Sequence, residues 1–289
     1  MEDKVIIQAP AKINLLLHVT GKRSDNYHEL VTLFHAIHTI HDEIKIDLNA
    51  REGISVSCDH HNVPSDSSNL VFKAAAAFAE RMSLRPSWHF ELVKHIPVAA
   101  GMGGGSSDAG SVLRFLAERF PGCLEEELNI LAKNIGADVP FFLNPGDASA
   151  RGIGEELTSE GALPMPPVAV ICPNFPVSAA WAYRQLKKFT PPEVAEKELK
   201  QLTGALRSGD FEQAAQLCAN DFEEALFDKF PLLEILRREL LSAGALSVHV
   251  SGSGPVLFAL FPTPAKRAES VSALGSSVYL EAGVKIMEC

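Results

Sequence analysis

The chain has little basic charge relative to its acidic charge. Its 26 Lys and Arg residues are outnumbered by 36 Asp and Glu residues, which gives a formal net charge of −10. A chain with this balance and no basic stripe lacks the positive electrostatic field that would attract nucleic acids and anionic membranes. The sequence therefore predicts no nucleic-acid partner and no membrane partner. An anionic ligand would have to be held by a local feature.

Long hydrophobic runs and paired cysteines are also missing. No apolar stretch approaches the ~20 residues that cross a bilayer, and the first residues do not form a basic segment followed by an apolar one. The five cysteines are scattered and form no Cys-x-x-Cys pair, as expected for reduced thiols. We therefore expect a cytoplasmic protein.

Histidine is plentiful, but its spacing does not indicate a structural metal site. Three of the ten histidines, His35, His38 and His41, are spaced by three in an apolar and β-branched segment typical of a strand. Steps of three along a strand point successive side chains to opposite faces, whereas metal ligands must converge.

The length of 289 residues, with 46% hydrophobic and 21% charged residues, is typical of a globular chain of two domains. The proline cluster at 164–167 has linker character, so the predicted domains are residues 1–160 and 161–289. Patterns in the first domain predict two short strands around Pro10, further strands at 30–40, 43–48, 53–58 and 88–96, and helices at 70–82, 109–120 and 125–135. Ser67 or Ser68 is the expected N-cap of the first helix.

The second half is predicted to end in an α-β-β-α-β order, which is typical of a small open-sheet α+β domain. Its predicted helices are 193–207, 210–219, 231–243 and 264–274, and its strands are 246–250, 255–261 and 277–286.

The most informative segment is 97–107, Pro-Val-Ala-Ala-Gly-Met-Gly-Gly-Gly-Ser-Ser, which joins a predicted strand to a predicted helix. Glycines let backbone N–H groups approach phosphate oxygens, and a helix N-terminus adds a positive dipole end. The segment therefore indicates a polyphosphate-binding loop, with a flexible connector as the alternative. It has no Lys of a Walker loop, and position 106, where a dinucleotide fingerprint has its third glycine, is Ser.

This loop resembles the phosphate loop of the GHMP kinase superfamily, and three further segments agree with it. These are the opening from Ala9 to His28, Gly136-Ala-Asp-Val-Pro-Phe-Phe142, and Val250-Ser-Gly-Ser-Gly-Pro-Val-Leu-Phe258. The resemblance covers nearly the whole chain. Relatives carry Gly where this chain has Ala99 and Ala100, which matters only if those positions need a positive φ.

The resemblance implies an α+β fold of two domains. The N-terminal domain would be similar to ribosomal protein S5 domain 2, the C-terminal domain would be ferredoxin-like, and the active site would lie in the cleft between them. It also implies transfer of the γ-phosphoryl group of ATP to an alcohol, with Mg²⁺ as cofactor, by a monomer or weak homodimer.

The matching positions imply an ATP site. Its residues would be Asn69, Lys94, Pro97, Gly101, Gly103, Gly104, Gly105, Ser106 and Ser107. The glycine loop would hold the β- and γ-phosphates, and Ser107 would be a ligand of Mg²⁺.

Two residues are implied to be catalytic. Asp138 would accept the proton of the acceptor hydroxyl, and Lys12 would stabilise negative charge on the phosphoryl oxygens. The structural alternatives are a solvated surface lysine for Lys12 and an N-cap or turn residue for Asp138.

Within the superfamily, the chain is similar to the branch whose acceptor is a cytidine diphosphate-linked methylerythritol, phosphorylated on its 2-hydroxyl in non-mevalonate isoprenoid biosynthesis. The implied acceptor site consists of Asn14, Tyr27, His28, Tyr183, Gly252 and Ser253. Tyr27 and Tyr183, from opposite domains, would stack on the base while His28 binds its hydrogen-bonding edge. Both tyrosines could instead be half-buried core residues. Asn26, where relatives have Gly, should preserve the turn because Asn tolerates a positive φ.

Three other functions stay open at this stage. The first is another GHMP kinase, acting on mevalonate, homoserine or a sugar. The second is a non-catalytic ATP-binding regulator on the same fold. The third, an RNA-binding module, is disfavoured by the acidic charge.

Overall fold

The computed structural model describes residues 4–275 and 283–289. The chain divides into two compact units, and each is assembled from separate stretches of sequence. Unit 1 comprises 1–11, 36–98 and 103–145; unit 2 comprises 12–35, 99–102 and 146–289. The sequence predicted a single boundary after residue 160 instead.

The described strands, in chain order, are β1 Lys4–Lys22, β2 His28–Asp47, β3 Gly53–Cys58, β4 Ser87–Val93, β5 Asp147–Arg151, β6 Glu156–Ser159, β7 Val168–Cys172, β8 Ala219–Asn220, β9 Ser247–Val250, β10 Leu257–Leu260 and β11 Lys285–Glu288. The described α-helices are α1 Leu70–Arg81, α2 Gly104–Arg119, α3 Glu125–Ile135, α4 Ala179–Gln185, α5 Pro192–Ser208, α6 Phe211–Leu217, α7 Glu223–Lys229, α8 Pro231–Ser242 and α9 Pro264–Gly275. A 3₁₀-helix spans Pro140–Leu143.

In unit 1, strand β4 pairs with two neighbours. It runs parallel to β3 and antiparallel to the second half of β2. Helices α1 and α2 bury apolar faces in the core of this unit, which contains Phe78, Phe90 and Leu113. The predicted helical periodicity is therefore confirmed for both. The N-cap of α1 is Asn69, whose side chain accepts from the Val71 N–H, and not Ser67 or Ser68.

In unit 2, four antiparallel strands form a sheet in the order β11-β7-β10-β9. Helices α4 to α8 lie between β7 and β9, together with the two-residue strand β8 of the other sheet, and α9 lies between β10 and β11. Apart from β8, the sheet and its connections therefore follow the β-α-β-β-α-β order of the ferredoxin-like pattern. The α-β-β-α-β ending predicted from the sequence is confirmed by α8, β9, β10, α9 and β11. Residues 277–282 of the predicted last strand lie outside the described residues. In the same unit, β5 pairs with the first half of β2 and with β6, and β8 runs beside β1.

The sequence predicts a break at Pro10 and another between residues 40 and 43, but β1 and β2 each continue through these positions as a single strand. Pro10 lies inside β1, where its restricted φ is compatible with an extended chain. Asp42 lies inside β2 and is fully buried. Its carboxylate accepts hydrogen bonds from the backbone N–H groups of His95 and Ile96 at 2.6 and 2.8 Å, which offset the cost of burying it.

None of the helices in the described ranges, 4–275 and 283–289, is both long enough and apolar enough to be a candidate membrane span.

Candidate active site

The helix that follows the glycine loop begins with open backbone donors. Gly103 is the N-cap of α2 and has a φ of 74°, and as a glycine it has no side chain to accept a hydrogen bond from the first N–H groups of the helix. The first turn of this 16-residue helix contains no acidic residue. The unsatisfied N–H groups and the positive end of the helix dipole favour an anion at this point.

Ala99 adopts a left-handed conformation that its side chain disfavours. Its φ is 55°, beside 85° at Gly101. Ala100 is not among the described residues with a positive φ. Of the two positions where relatives have glycine, only Ala99 therefore carries backbone strain.

In unit 2, the part of the loop at 99–102 packs closely on the turn that follows β9. The Ser251 hydroxyl donates to the Gly101 carbonyl at 3.0 Å and accepts from the Asn14 N–H at 3.3 Å. A Cβ on Gly101 would overlap the Ser251 carbonyl oxygen, and one on Gly252 would lie 3.1 Å from the Gly101 carbonyl oxygen. Both glycines are thus required for a close approach of two backbones.

Asn220 supports this turn from strand β8, and sequence reasoning missed it. Its buried amide donates to the carbonyls of Val250 and Gly252 at 2.8 and 2.7 Å. The signal in the sequence was weak: a single Asn in a short segment gives no indication of partners 30 residues away.

Lys12 is a buried residue of β1, with only 4% of its surface exposed. Its ammonium donates to the Asn14 side-chain oxygen at 2.6 Å and lies 5.0 Å from the centre of the Phe34 ring. Asn14 in turn donates to the Thr32 hydroxyl at 2.8 Å. The alternative of a solvated surface lysine is therefore wrong, because a buried lysine is held by specific partners.

The two serines at the end of the loop have different surroundings. Ser106 is partly exposed in the first turn of α2, whereas Ser107 is fully buried and donates its hydroxyl proton to the Pro10 carbonyl at 2.6 Å. In this arrangement Ser107 does not fit the predicted role of Mg²⁺ ligand, since its oxygen is inaccessible.

Lys94 follows β4 and lies in a buried cluster with two carboxylates. Its ammonium forms ion pairs with Asp42 and, at 2.6 Å, with Asp108 of α2. Burial raises the pKa of Asp108 to about 7; Lys94 opposes this shift and Asp42 adds to it. Burial alone would lower the pKa of Lys94, but the two carboxylates raise it. Sequence reasoning missed Asp42 and Asp108, although an acidic residue within a strand as apolar as β2 was a possible signal.

Asn69 uses both ends of its amide inside unit 1. Besides capping α1, it donates to the Pro64 carbonyl at 2.6 Å. Pro97 is partly exposed where the loop begins. The first residues of α2, Gly104 and Gly105, are also partly or fully exposed, so the backbone there is accessible to a ligand.

Asp138 lies in the turn between α3 and the 3₁₀-helix, and it is partly exposed. Val139, rather than Asp138, is the N-cap residue of the 3₁₀-helix. This turn is pressed against α2, because a Cβ on Gly110 would lie 2.6 Å from Phe142 and 3.0 Å from the Val139 carbonyl oxygen. The same helix that offers its N-terminus to an anion therefore also fixes the turn that carries Asp138.

The predicted acceptor residues include an aromatic stack. The His28 ring lies flat on Tyr183, with centroids 4.7 Å apart and planes 22° apart. Burial, and to a lesser extent Lys22, lowers the pKa of His28, which favours the neutral ring at pH 7. Tyr27 is 59% exposed. Tyr27 and Tyr183 both belong to unit 2, not to opposite domains as the sequence predicted.

The turn before His28 has the predicted conformation. Asn26 has a φ of 71°, which confirms that Asn replaces the glycine of relatives in a left-handed position. Gly252 and Ser253 lie in the turn after β9, and Gly252 also has a positive φ, 57°. The structure thus brings Asn14 and Gly252 together with the segment 99–102, within unit 2.

Two family models match the chain. Residues 69–146 match the N-terminal domain of GHMP kinases, and residues 202–280 match their C-terminal domain. The first range includes the glycine loop and Asp138, and the second includes the turn after β9.

Comparison with individual proteins is more specific. The 4-diphosphocytidyl-2-C-methyl-D-erythritol kinase of Geobacter sulfurreducens is 40% identical in an alignment 262 residues long, which covers 89% of this chain and 90% of that protein. A crystal structure of 4-(cytidine 5'-diphospho)-2C-methyl-D-erythritol kinase matches with a TM-score of 0.78 and 32% identity, over 98% of both chains. The homoserine kinase of Cytophaga hutchinsonii matches with a TM-score of 0.80 over 100% of this chain and 95% of its own, but at 20% identity, so it shows a shared fold alone.

Proposed function

Because the chain belongs to the GHMP kinase family, in the group of 4-diphosphocytidyl-2-C-methyl-D-erythritol kinases, we propose that it transfers the γ-phosphoryl group of ATP to the 2-hydroxyl of 4-diphosphocytidyl-2-C-methyl-D-erythritol. The products are the 2-phosphate and ADP, and the step belongs to non-mevalonate isoprenoid biosynthesis. A cytoplasmic location and a monomeric or weakly dimeric state stay predictions.

The observation that carries the proposal is the open N-terminus of α2 behind Gly103. A triphosphate is the anion that this arrangement suits, since several N–H groups can reach oxygens of adjacent phosphates at once. The glycines at 103–105 leave the backbone accessible. Lys94 and Asn69 are already engaged by Asp42, Asp108 and Pro64. Their contribution to ATP binding is therefore proposed as support of the loop and of α1.

Asp138 is proposed as the group that orients the acceptor hydroxyl. The hydroxyl oxygen forms a bond to the γ-phosphorus as the bond to the β,γ-bridging oxygen breaks, and the hydroxyl proton passes to the Asp138 carboxylate. In a loose transition state this proton moves late, so the main task of Asp138 is orientation.

Lys12 is proposed to stabilise the negative charge on the transferring group. Its ammonium is fixed by Asn14 at 2.6 Å, and Asn14 is fixed by Thr32. A donor held in place before the reaction stabilises charge in the transition state without reorganisation. Asn14 acts in this proposal by positioning Lys12.

Mg²⁺ is the expected companion of ATP, and it neutralises charge on the β- and γ-phosphates when bound. Such an ion is usually held by phosphate oxygens with one or two protein ligands. Ser107 is not accessible for this role, so of the two loop serines Ser106, which is partly exposed, is the better candidate.

The stack of His28 on Tyr183 supports a flat heterocycle as part of the acceptor. A neutral imidazole can donate one hydrogen bond and accept another, which matches the mixed donor and acceptor edge of cytosine. Tyr27, which is exposed, offers a second aromatic face in the same unit. Gly252 and Ser253 are proposed to bind the remainder of the acceptor.

The other functions are less well supported. Homoserine and mevalonate kinases match in structure at 20% identity or less, which supports the fold only. A non-catalytic regulator has no need for a lysine and an aspartate at the positions of Lys12 and Asp138.

The test is ADP release in the presence of ATP and Mg²⁺ with four acceptors: 4-diphosphocytidyl-2-C-methyl-D-erythritol, mevalonate, homoserine and galactose. We expect turnover with the cytidylyl acceptor alone. Equal or greater turnover of another acceptor would contradict the substrate, and no acceptor-dependent turnover at all would favour the regulator.

A further inference from the structure

A third aromatic side chain, Phe189, lies beside the His28–Tyr183 stack. Its ring centroid is 6.0 Å from that of His28, with 55° between the ring planes. Tyr183 is supported by the buried Phe222, which meets it edge-on at 4.8 Å. Phe189 itself is 41% exposed. An exposed ring at the border of a stack offers apolar surface to a flat ligand.

Phe189 belongs to the short segment 186–191 between α4 and α5, and its neighbour Thr190 ties this segment to the protein. The Thr190 N–H donates to the Val19 carbonyl at 2.9 Å. The Thr190 hydroxyl donates to the Asp221 carboxylate, also at 2.9 Å. Together these two bonds hold the residue next to Phe189 against β1 and Asp221.

The Asp221 carboxylate is itself fixed. It accepts from the Val19 N–H at 2.8 Å and contacts the buried His18 ring at 2.9 Å. The other ring nitrogen of His18 contacts Glu198 of α5 at 2.8 Å. Burial alone would lower the pKa of His18, but Asp221 and Glu198 raise it. Each nitrogen of the His18 ring lies within hydrogen-bond distance of a carboxylate oxygen. Asp221 therefore cannot turn away from Thr190 without also losing its contacts with His18 and the Val19 N–H.

A groove with a volume of about 870 Å³ runs along the same segment, and Phe189, Thr190 and Val194 are among its lining residues. Because the segment is open on this side, packing does not by itself determine where Phe189 lies. The bond from Thr190 to Asp221 supplies that constraint.

We propose that Phe189 is a specificity-determining residue of the site for the acceptor's base, and that Thr190 and Asp221 are positioning residues that hold it there. This inference rests on the proposed function. Phe189 borders the base site beyond His28, contacts a pyrimidine ring, and restricts the site to a base of one ring.

The test is steady-state kinetics with the cytidylyl acceptor at saturating ATP. Phe189→Ala should raise the acceptor KM about tenfold, the scale of one lost aromatic contact with a base, with kcat and the KM for ATP within about twofold of wild type. Phe189→Tyr should restore the acceptor KM. Thr190→Val, which keeps the shape but loses the hydroxyl, should raise the acceptor KM several-fold, and Thr190→Ser should not.

The matched control is Val194→Ala, which changes a side chain of the same groove and should leave all three constants unchanged. Guanosine diphosphate provides a second readout: it should compete with the acceptor more strongly in Phe189→Ala than in wild type. An acceptor KM indifferent to Phe189→Ala, the same KM in Thr190→Val and Thr190→Ser, or no gain in purine competition would each overturn the proposal while the wild type still turns over the acceptor. If the wild type does not turn over the cytidylyl acceptor, this proposal and the proposed function both fail.

Discussion

Ser251 donates its hydroxyl to the Gly101 carbonyl at 3.0 Å, while its own carbonyl oxygen occupies the space that a Cβ on Gly101 would need. The two residues are 150 positions apart, and the backbone of the glycine loop is fixed by this contact. Its consequences can be tested separately from any ligand.

Gly101→Ala should lower the free energy of unfolding by at least about 2 kcal/mol, because a left-handed alanine costs about 1–2 kcal/mol and overpacking about 1–3 kcal/mol. Denaturant unfolding measures this change. Gly204→Ala is the control: it lies in the interior of α5 with open space around it and should stabilise the protein by up to about 1 kcal/mol. Equal effects of the two changes would show that the close approach to Ser251 carries no energy.

Ala99→Gly should have the opposite sign. The left-handed conformation at Ala99 costs about 1–2 kcal/mol, which glycine would relieve. Glycine also loses more conformational entropy on folding than alanine does, and this offsets about 0.5–1 kcal/mol of the gain. The free energy of unfolding should therefore rise by up to about 1 kcal/mol. Ala100→Gly, at a buried position without a positive φ, should lower it by a similar amount. Destabilisation by Ala99→Gly would contradict the strain assigned to this residue.

Asp108 should make stability depend on pH between about 4 and 7. Its folded-state pKa of about 7 lies above the ordinary value, so the folded protein binds this proton more tightly than the unfolded chain does. The stability that Asp108 contributes is therefore lost as pH rises through this window. Below and above the window, its contribution does not change with pH. The stability of Asp108→Asn relative to wild type should rise with pH there, by at most about 1.4 kcal/mol per unit.

The control for this pH dependence is Asp66→Asn. Hydrogen bonds from Ser68 lower the pKa of the exposed Asp66, so its contribution is lost only as pH falls below about 4. A constant difference between Asp108→Asn and wild type from pH 4 to pH 7 would show that Asp108 titrates normally.

Asp138→Asn should lower kcat by at least ~100-fold, which is the usual scale for loss of a positioned proton acceptor. The variant should still bind ATP. Lys12→Met, which keeps the aliphatic stem and removes the charge, should lose a comparable amount. ATP affinity by calorimetry and turnover by ADP release separate binding from chemistry. Glu126→Gln, an exposed change on α3, should leave both unaltered. Near-normal kcat in Asp138→Asn would leave Asp138 as a turn residue only.

His28→Ala should raise the KM for the cytidylyl acceptor and leave the KM for ATP unchanged. Because burial lowers the pKa of His28, the wild-type acceptor KM should be constant from pH 7 upward and rise only below about pH 6.5, where an ordinary histidine is half protonated. His61→Ala, on an exposed histidine, should change neither constant. Indifference of the acceptor KM to His28→Ala would remove this ring from the base site.

The parts of the fold that sequence patterns predicted are those that depend on local periodicity. Helices α1 and α2 were recognisable because their apolar residues recur at helical spacing. Strand β1 was not, because Pro10 usually interrupts a strand, and nothing in its neighbourhood indicates that its carbonyl is bound by Ser107, 97 positions later. The short strands β5 and β6 were missed because four or five residues carry too little alternation.

The candidate site shows the same division. The open N-terminus of α2 followed from a run of glycines, and the left-handed Asn26 followed from the tolerance of that residue type. The occupation of Lys94 did not follow, because it requires Asp42 and Asp108 to be buried beside it. Nor did the inaccessibility of Ser107. Both depend on packing between segments that are distant in sequence.

The interleaved segments of the two units constrain how genes of this family can recombine. Residues 12–35 and 99–102 belong to unit 2 although the rest of that unit begins at 146. In a chimera with a single crossover near residue 160, residues that contact each other would come from different parents. Gly101 would then face Ser251 of the other parent, and Val19 would face Asp221 of the other parent. Exchange of a whole unit between relatives therefore needs several crossovers. We expect substrate preference in this family to change by point substitution more readily than by exchange of domains.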